Sequence, residues 1–107
     1  LPQQTRDFVQ AFSARDALGL MQTLTSMEKW KRDALADILE SWRELLESAL
    51  ASRSGIRAVS PLSRKLAQSR SSPELLNAVQ CLQKAVDYTV SNVSPAAVCG
   101  WLVWALR

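Results

Sequence analysis

The sequence predicts an all-α fold, a compact bundle of five to six helices, and three observations carry that prediction. From Met27 to Leu50 no Gly or Pro interrupts a run in which apolar residues recur at three- and four-residue steps, the repeat of a helix with one buried side. Three Ser-Pro pairs, Ser60–Pro61, Ser72–Pro73 and Ser94–Pro95, mark helix starts: serine accepts a bond from an unpaired first-turn amide, and proline there has no amide to strand. No stretch shows the two-residue alternation of a half-buried strand.

Taken in order, Thr5 to Phe12 puts Phe8, Val9 and Phe12 on one side of a short helix. Ser13, followed three residues later by Asp16, resembles a capping arrangement for a second short helix, Arg15 to Leu24, with Leu18, Met21 and Leu24 inward. Gly19 either weakens this helix by up to ~1 kcal/mol or lets a neighbour approach closely. Thr25–Ser26 then caps the long helix Met27–Leu50, the hub of the bundle. Its inner stripe is Leu35, Ile38, Leu39, Trp42, Leu45, Leu46, Ala49 and Leu50, with Trp30 close to the same side. Its outer side carries acids and cations, with Lys29–Asp33 and Arg43–Glu47 spaced four apart for ion pairing.

After Leu50 the chain turns small, polar and basic, and Ala51–Ser60 with Gly55 is expected to be a loop. Leu62 to Ser69 forms a short helix. Glu74 to Val90 follows, burying Leu75, Leu76, Val79, Leu82, Val86 and Val90, and Asn92 suits the left-handed residue that ends it. The last helix, Ala96 to Leu106, is apolar nearly all round. Val98, Leu102 and Leu106 make one stripe; Ala97, Trp101 and Trp104 make another.

With 107 residues, 48% of them hydrophobic, the chain is one domain (residues 1–107) able to bury a core without staples. The longest apolar run, eleven residues, is about half of what a membrane-spanning helix needs, roughly twenty. Leu1–Gln10 has no apolar run that would make a signal peptide, so a cytoplasmic, non-membrane protein is expected. The chain starts without methionine and almost directly in a helix, and so reads as a piece of a longer protein. Cys81 and Cys99 are expected as reduced thiols inside helical patterns. A hairpin turning near Asn92 would set Cys99 opposite Val86, about 7.5 Å along the axis from Cys81 at ~1.5 Å per residue, out of disulfide reach.

Catalysis is not expected. The chain has no histidine, which removes the usual neutral-pH base and the commonest zinc ligand. Its two cysteines lack metal-ligand spacing, and its three glycines stand singly, so no phosphate-cradling loop exists. No cofactor, metal or small-molecule substrate is implied. Two surfaces remain as candidates. The first is the last helix, whose second stripe has no evident internal partner; the candidate subunit-interface residues are Val98, Trp101, Leu102 and Trp104, with core packing of the two indoles equally open. The second is the stretch from Ala51 to Pro73, with five cations (Arg53, Arg57, Arg64, Lys65 and Arg70) and no acid, while the rest of the chain holds eight cations against ten acids. Those five residues could neutralise phosphates in a salt-sensitive, sequence-blind contact with DNA, although no aromatic residue is there to stack on bases.

Three passages carry a likeness to a known family. They are Leu39–Glu40–Ser41–Trp42–Arg43–Glu44–Leu45–Leu46, the helix Leu75–Val90 leading into Ser91–Asn92–Val93–Ser94–Pro95, and Ser13–Ala14–Arg15–Asp16–Ala17–Leu18. Together the chain resembles the carboxy-terminal helical (collar) domain of the delta-prime subunit family of bacterial clamp loaders, part of DNA polymerase III. Ser94 stands where that family commonly has a second asparagine, an equivalent cap. Trp101 and Trp104 are heavier than the aliphatics usual there, and the basic 51–73 segment is a further departure. The resemblance implies a non-catalytic collar domain, excised from a longer AAA+-type chain. It would hold the loader pentamer together against the delta and gamma/tau subunits and touch DNA only through the assembled loader. Any nucleotide-contacting module lies outside this sequence, so no residue is carried over for that role. A gamma/tau collar domain, and a helical nucleic-acid-binding module working through 51–73, remain as alternatives.

Overall fold

A computed structural model describes residues 1–58 and 60–107; Val59, inside the loop expected at 51–60, lies outside the described residues. The described chain contains six helices and no strand: α1 (Gln3–Ser13), α2 (Ala17–Thr25), α3 (Arg32–Arg53), α4 (Pro61–Ser69), α5 (Ser72–Val90) and α6 (Pro95–Ala105). Its Cα radius of gyration, 12.8 Å, is that of a single packed domain of this length, about 13 Å. Helix α3 packs along α5 and against α4, α1 sits against α2 and α4, and α6 lies against α2 and α5. No helix among the described residues is long and apolar enough to cross a membrane.

The hub role of α3 rests on Trp42. Its ring is fully buried and stacks on Phe8 of α1, with centroids 4.2 Å apart and planes within 5°. A buried indole N–H needs an acceptor, and Trp42 Nε1–H donates to Thr5 Oγ1 at 3.0 Å. One side chain therefore supplies apolar area and also fixes how α1 sits on α3. On the outer side, Arg43 bridges Glu40 and Glu47, so the expected Arg43–Glu47 pair forms. The Lys29–Asp33 pair does not, because α3 begins five residues later than the periodicity suggested. Met27–Trp30 is a turn, closed by Trp30 N–H to Met27 O at 3.0 Å, with Met27 buried in the core. Lys31, in extended conformation, precedes the first turn, and Ser26 ends α2 rather than starting α3.

Other corrections share a cause: hydrophobic spacing marks an apolar arc, while neighbouring helices choose which part of it is covered. In α2, Leu20 and Leu24 are buried, whereas Leu18 is 60% and Met21 42% exposed. Gly19 turns toward α1: an added Cβ would lie 3.3 Å from Ala11 Cβ and 2.4 Å from Asp16 Oδ2. That close approach rolls Leu18 outward. In α5 the buried line is Leu75, Ala78, Leu82, Ala85 and Thr89; Val79 and Val86 are half-buried, and Leu76 and Val90 are exposed. The small alanines occupy the middle of the packed side and the bulkier valines its flank.

The caps behave largely as their chemistry requires. Ser60 and Ser94 accept from the third residue of α4 and α6, with Pro61 and Pro95 in the first turns. At the middle Ser-Pro pair the capping residue is Ser71, one position earlier, in a reciprocal box with Glu74. At the α1–α2 turn, Asp16 itself caps Gly19 N–H at 2.9 Å, and Ser13 is instead the last residue of α1. Arg15 takes the left-handed conformation between them, φ 56°.

Candidate interaction surface

Helix α6 is placed by the turn before it. Asn92 is left-handed, φ 69°, as expected, and Val93 N–H reaches back to Tyr88 O at 3.0 Å, the long bond of a Schellman ending. Arg32 at the start of α3 donates to Asn92 O at 3.0 Å and ties that turn to the hub. The chain then reverses at Ser94–Pro95 and α6 returns along α5. Cys81 Sγ lies 3.8 Å from Ala105 O, and Tyr88 meets Trp101 edge-on, with centroids 5.4 Å apart.

This placement divides the four candidate interface residues. Val98 and Leu102 are fully buried, and with Cys99 and Leu106 they form the inner line of α6, so their role is core packing and not contact with a partner. Steps of four residues keep 98, 102 and 106 on one side, and that side faces the bundle. Trp101 is half-buried against Tyr88. Trp104 is 65% exposed. Around Trp104 the outer side of α6 shows Ala96, Ala97 and Gly100, all exposed, and the whole helix from Pro95 to Ala105 carries no charged side chain. Gly100 was not among the residues singled out in the sequence. A Cβ added there would meet nothing within 4 Å, so this glycine is required by no internal contact. Its position mid-helix on the same outward side was the available signal.

The thiols fit a packed interior. Both are free; burial pushes Cys99 up to about 11, with Glu28 adding to the effect, and burial raises Cys81 as well. Both remain protonated and weakly nucleophilic at neutral pH. Among the described residues, no group of three or more His, Cys, Asp or Glu side chains is placed to hold a metal ion.

The basic stretch is reduced in the same way. Arg53 donates to Ala67 O at 2.8 Å and Ser72 Oγ at 3.1 Å, closing the junction of α3, α4 and α5. Arg70 lies over the Phe12 ring at 4.0 Å, donates to Phe12 O at 2.9 Å and pairs with Glu74 at 2.7 Å. Glu74 also takes both arms of Arg15, at 2.6 and 2.8 Å. Arg53 and Arg70 thus hold the frame together and are not set out as phosphate contacts. Lys65 reaches Gln10, and Arg57 and Arg64 are exposed with no ion-pair partner among the described residues. Three cations not drawn into the frame make a weaker phosphate-binding surface than the five in sequence suggested.

No family model, no curated protein and no solved structure matches this chain.

Proposed function

We propose that this domain is a non-catalytic oligomerisation module whose outward α6 surface binds a protein partner, in the manner of a clamp-loader collar domain. The supporting observation is the outer side of α6: a tryptophan 65% exposed, set among exposed Ala96, Ala97 and Gly100, on a helix with no charge. A solvated helix ordinarily carries polar residues outward, and an indole buries about 150–250 Å² when covered. Eleven residues make a helix only about 16 Å long, so a typical interface of roughly 800 Å² per partner extends beyond α6 onto its neighbours.

The choice of partner rests on the likeness of the Leu39–Leu46, Leu75–Pro95 and Ser13–Leu18 passages to the delta-prime family. On that reading the domain sits in a cytoplasmic loader pentamer beside delta and gamma/tau subunits, and meets DNA only through the assembly. The Trp42–Arg43 passage and the Asn92–Pro95 ending favour delta-prime over gamma/tau. The test mixes the domain, or its Trp104→Ala variant, with the delta and gamma/tau collar domains and measures complex formation by sedimentation, with unfolding followed in parallel. The expected result is a wild-type complex that the folded variant fails to form; equal binding by the variant removes Trp104 from the interface.

A further inference from the structure

A second surface lies away from α6. The amino end of α1, the turn at Trp30 and one flank of α3 enclose a groove of about 650 Å³. Its α3 wall is Ala34, Ile38, Ser41, Leu45 and Ser48, at alternating steps of four and three residues. That run covers about 21 Å of helix axis, with Trp30 at one end. Small and apolar side chains at these steps form the kind of track into which a second helix sets its own three- and four-spaced anchors.

The side-chain charges that line the track have one sign. Asp37 and Glu44 line the groove, are exposed and stand two turns apart on the same flank of α3. No Lys or Arg lines it. Glu40 and Glu47, neighbours of these two on α3 but outside the groove lining, are both paired with Arg43, whereas neither Asp37 nor Glu44 has an ion-pair partner among the described residues. An apolar track edged by two unpaired carboxylates selects a cation-flanked ligand and repels an anionic one.

We propose that this groove docks an amphipathic helix of a partner protein whose apolar face is flanked by Lys or Arg. The apolar face covers half-buried Trp30 and Leu45 above the buried Ile38, and the basic flank pairs with Asp37 and Glu44. This surface shares no residue with the outer side of α6 and does not depend on the function assigned to α6.

The probe is a pair of fluorescein-labelled 14-residue helical peptides with leucines at three- and four-residue steps, one flanked by lysines and the other by glutamates. Anisotropy with the intact domain is expected to show binding of the lysine peptide alone, weakening as salt is raised. Replacing both carboxylates (Asp37→Asn with Glu44→Gln) loosens it about two- to thirtyfold, as expected for two exposed charge pairs, without changing the melting profile. Ala34→Arg, exposed and in the track, abolishes binding through bulk and charge. Binding of both peptides alike, binding of neither, or an affinity unchanged by the double neutralisation overturns the proposal. So does concentration-dependent self-association of the unlabelled domain that the double neutralisation abolishes, because the occupant would then be a second copy.

Discussion

Trp42 of α3 and Trp104 of α6 stand on the two helices at mid-length or beyond, and the chain uses the two in opposite ways. Trp42 is sealed between α1 and α3, its ring stacked on Phe8 and its N–H satisfied by Thr5, while Arg43 and the acids of α3 keep the other side wet. Trp104 stands 65% exposed on a helix with no charged residue to solvate it. Composition alone ranks α6 as the more deeply buried helix, yet α3 holds the centre. An amphipathic helix tells its neighbours which side to cover; a uniformly apolar one leaves that to packing and keeps greasy surface over. The difference separates a tryptophan that the fold needs from one that we propose a partner covers, and mutations can test the separation.

The largest effect is expected at the hub. Trp42→Ala should cost about 3–5 kcal/mol in chemical denaturation, from lost packing and a cavity, with Thr5 left buried beside it. A loss under about 1 kcal/mol would show that α3 does not organise the core. The Glu74 cluster comes next. Arg15 above all, then Ser71 N–H and Arg70, hold its carboxyl well below the usual carboxylate range. A carboxylate shifted down adds stability at pH above its unfolded value, near 4.5, and loses that contribution as pH falls toward the folded value. Glu74→Gln should therefore be less stable than wild type at neutral pH, with the gap closing in thermal melts as the pH drops below about 4.5. A gap independent of pH would contradict this assignment.

Smaller effects probe α6. Gly100→Ala should raise stability by about 0.5–1 kcal/mol, since the added methyl meets nothing and the unfolded chain loses freedom. Larger residues there should weaken association while leaving the fold intact. The smallest expected stability change is at Trp104 itself: Trp104→Ala should stay within about 0.5 kcal/mol of wild type, as exposed substitutions do. A loss comparable with that of Trp42→Ala would place the indole in the core after all.

What was legible in the sequence is what local chemistry decides. Serine followed by proline caps α4 and α6, and an asparagine ends the α5 turn, because each feature satisfies amides within four residues. The hub and most of its inner stripe followed from one long repeat, with Leu45 and Leu50 left half-buried at its edge. The start of α3 was misplaced because Met27 is apolar and in register yet belongs to a turn that delivers it to the core. The packed side of α5 was misjudged because bulk drew attention to Leu76 and Val90, when Ala78 and Ala85 sit where the helices pack. Of the interface candidates, Trp104 is exposed, whereas Val98 and Leu102 belong with Leu106 to the stripe that faces the core. Contacts between distant residues left no local trace. Arg70 on Phe12, Arg15 on Glu74 and Trp42 on Thr5 join positions 58, 59 and 37 apart, and the groove beside α3 exists only once α1 is docked.

The central claim is that α6 keeps adhesive surface which the domain itself does not need. Sedimentation of wild type and Trp104→Asp with the clamp-loader delta and gamma/tau collar domains, at matched thermal stability, tests it most directly. A complex formed by the wild type and abolished by the aspartate in a fully folded domain is the predicted result. No complex with the wild type, or one formed equally strongly by Trp104→Asp, would contradict it.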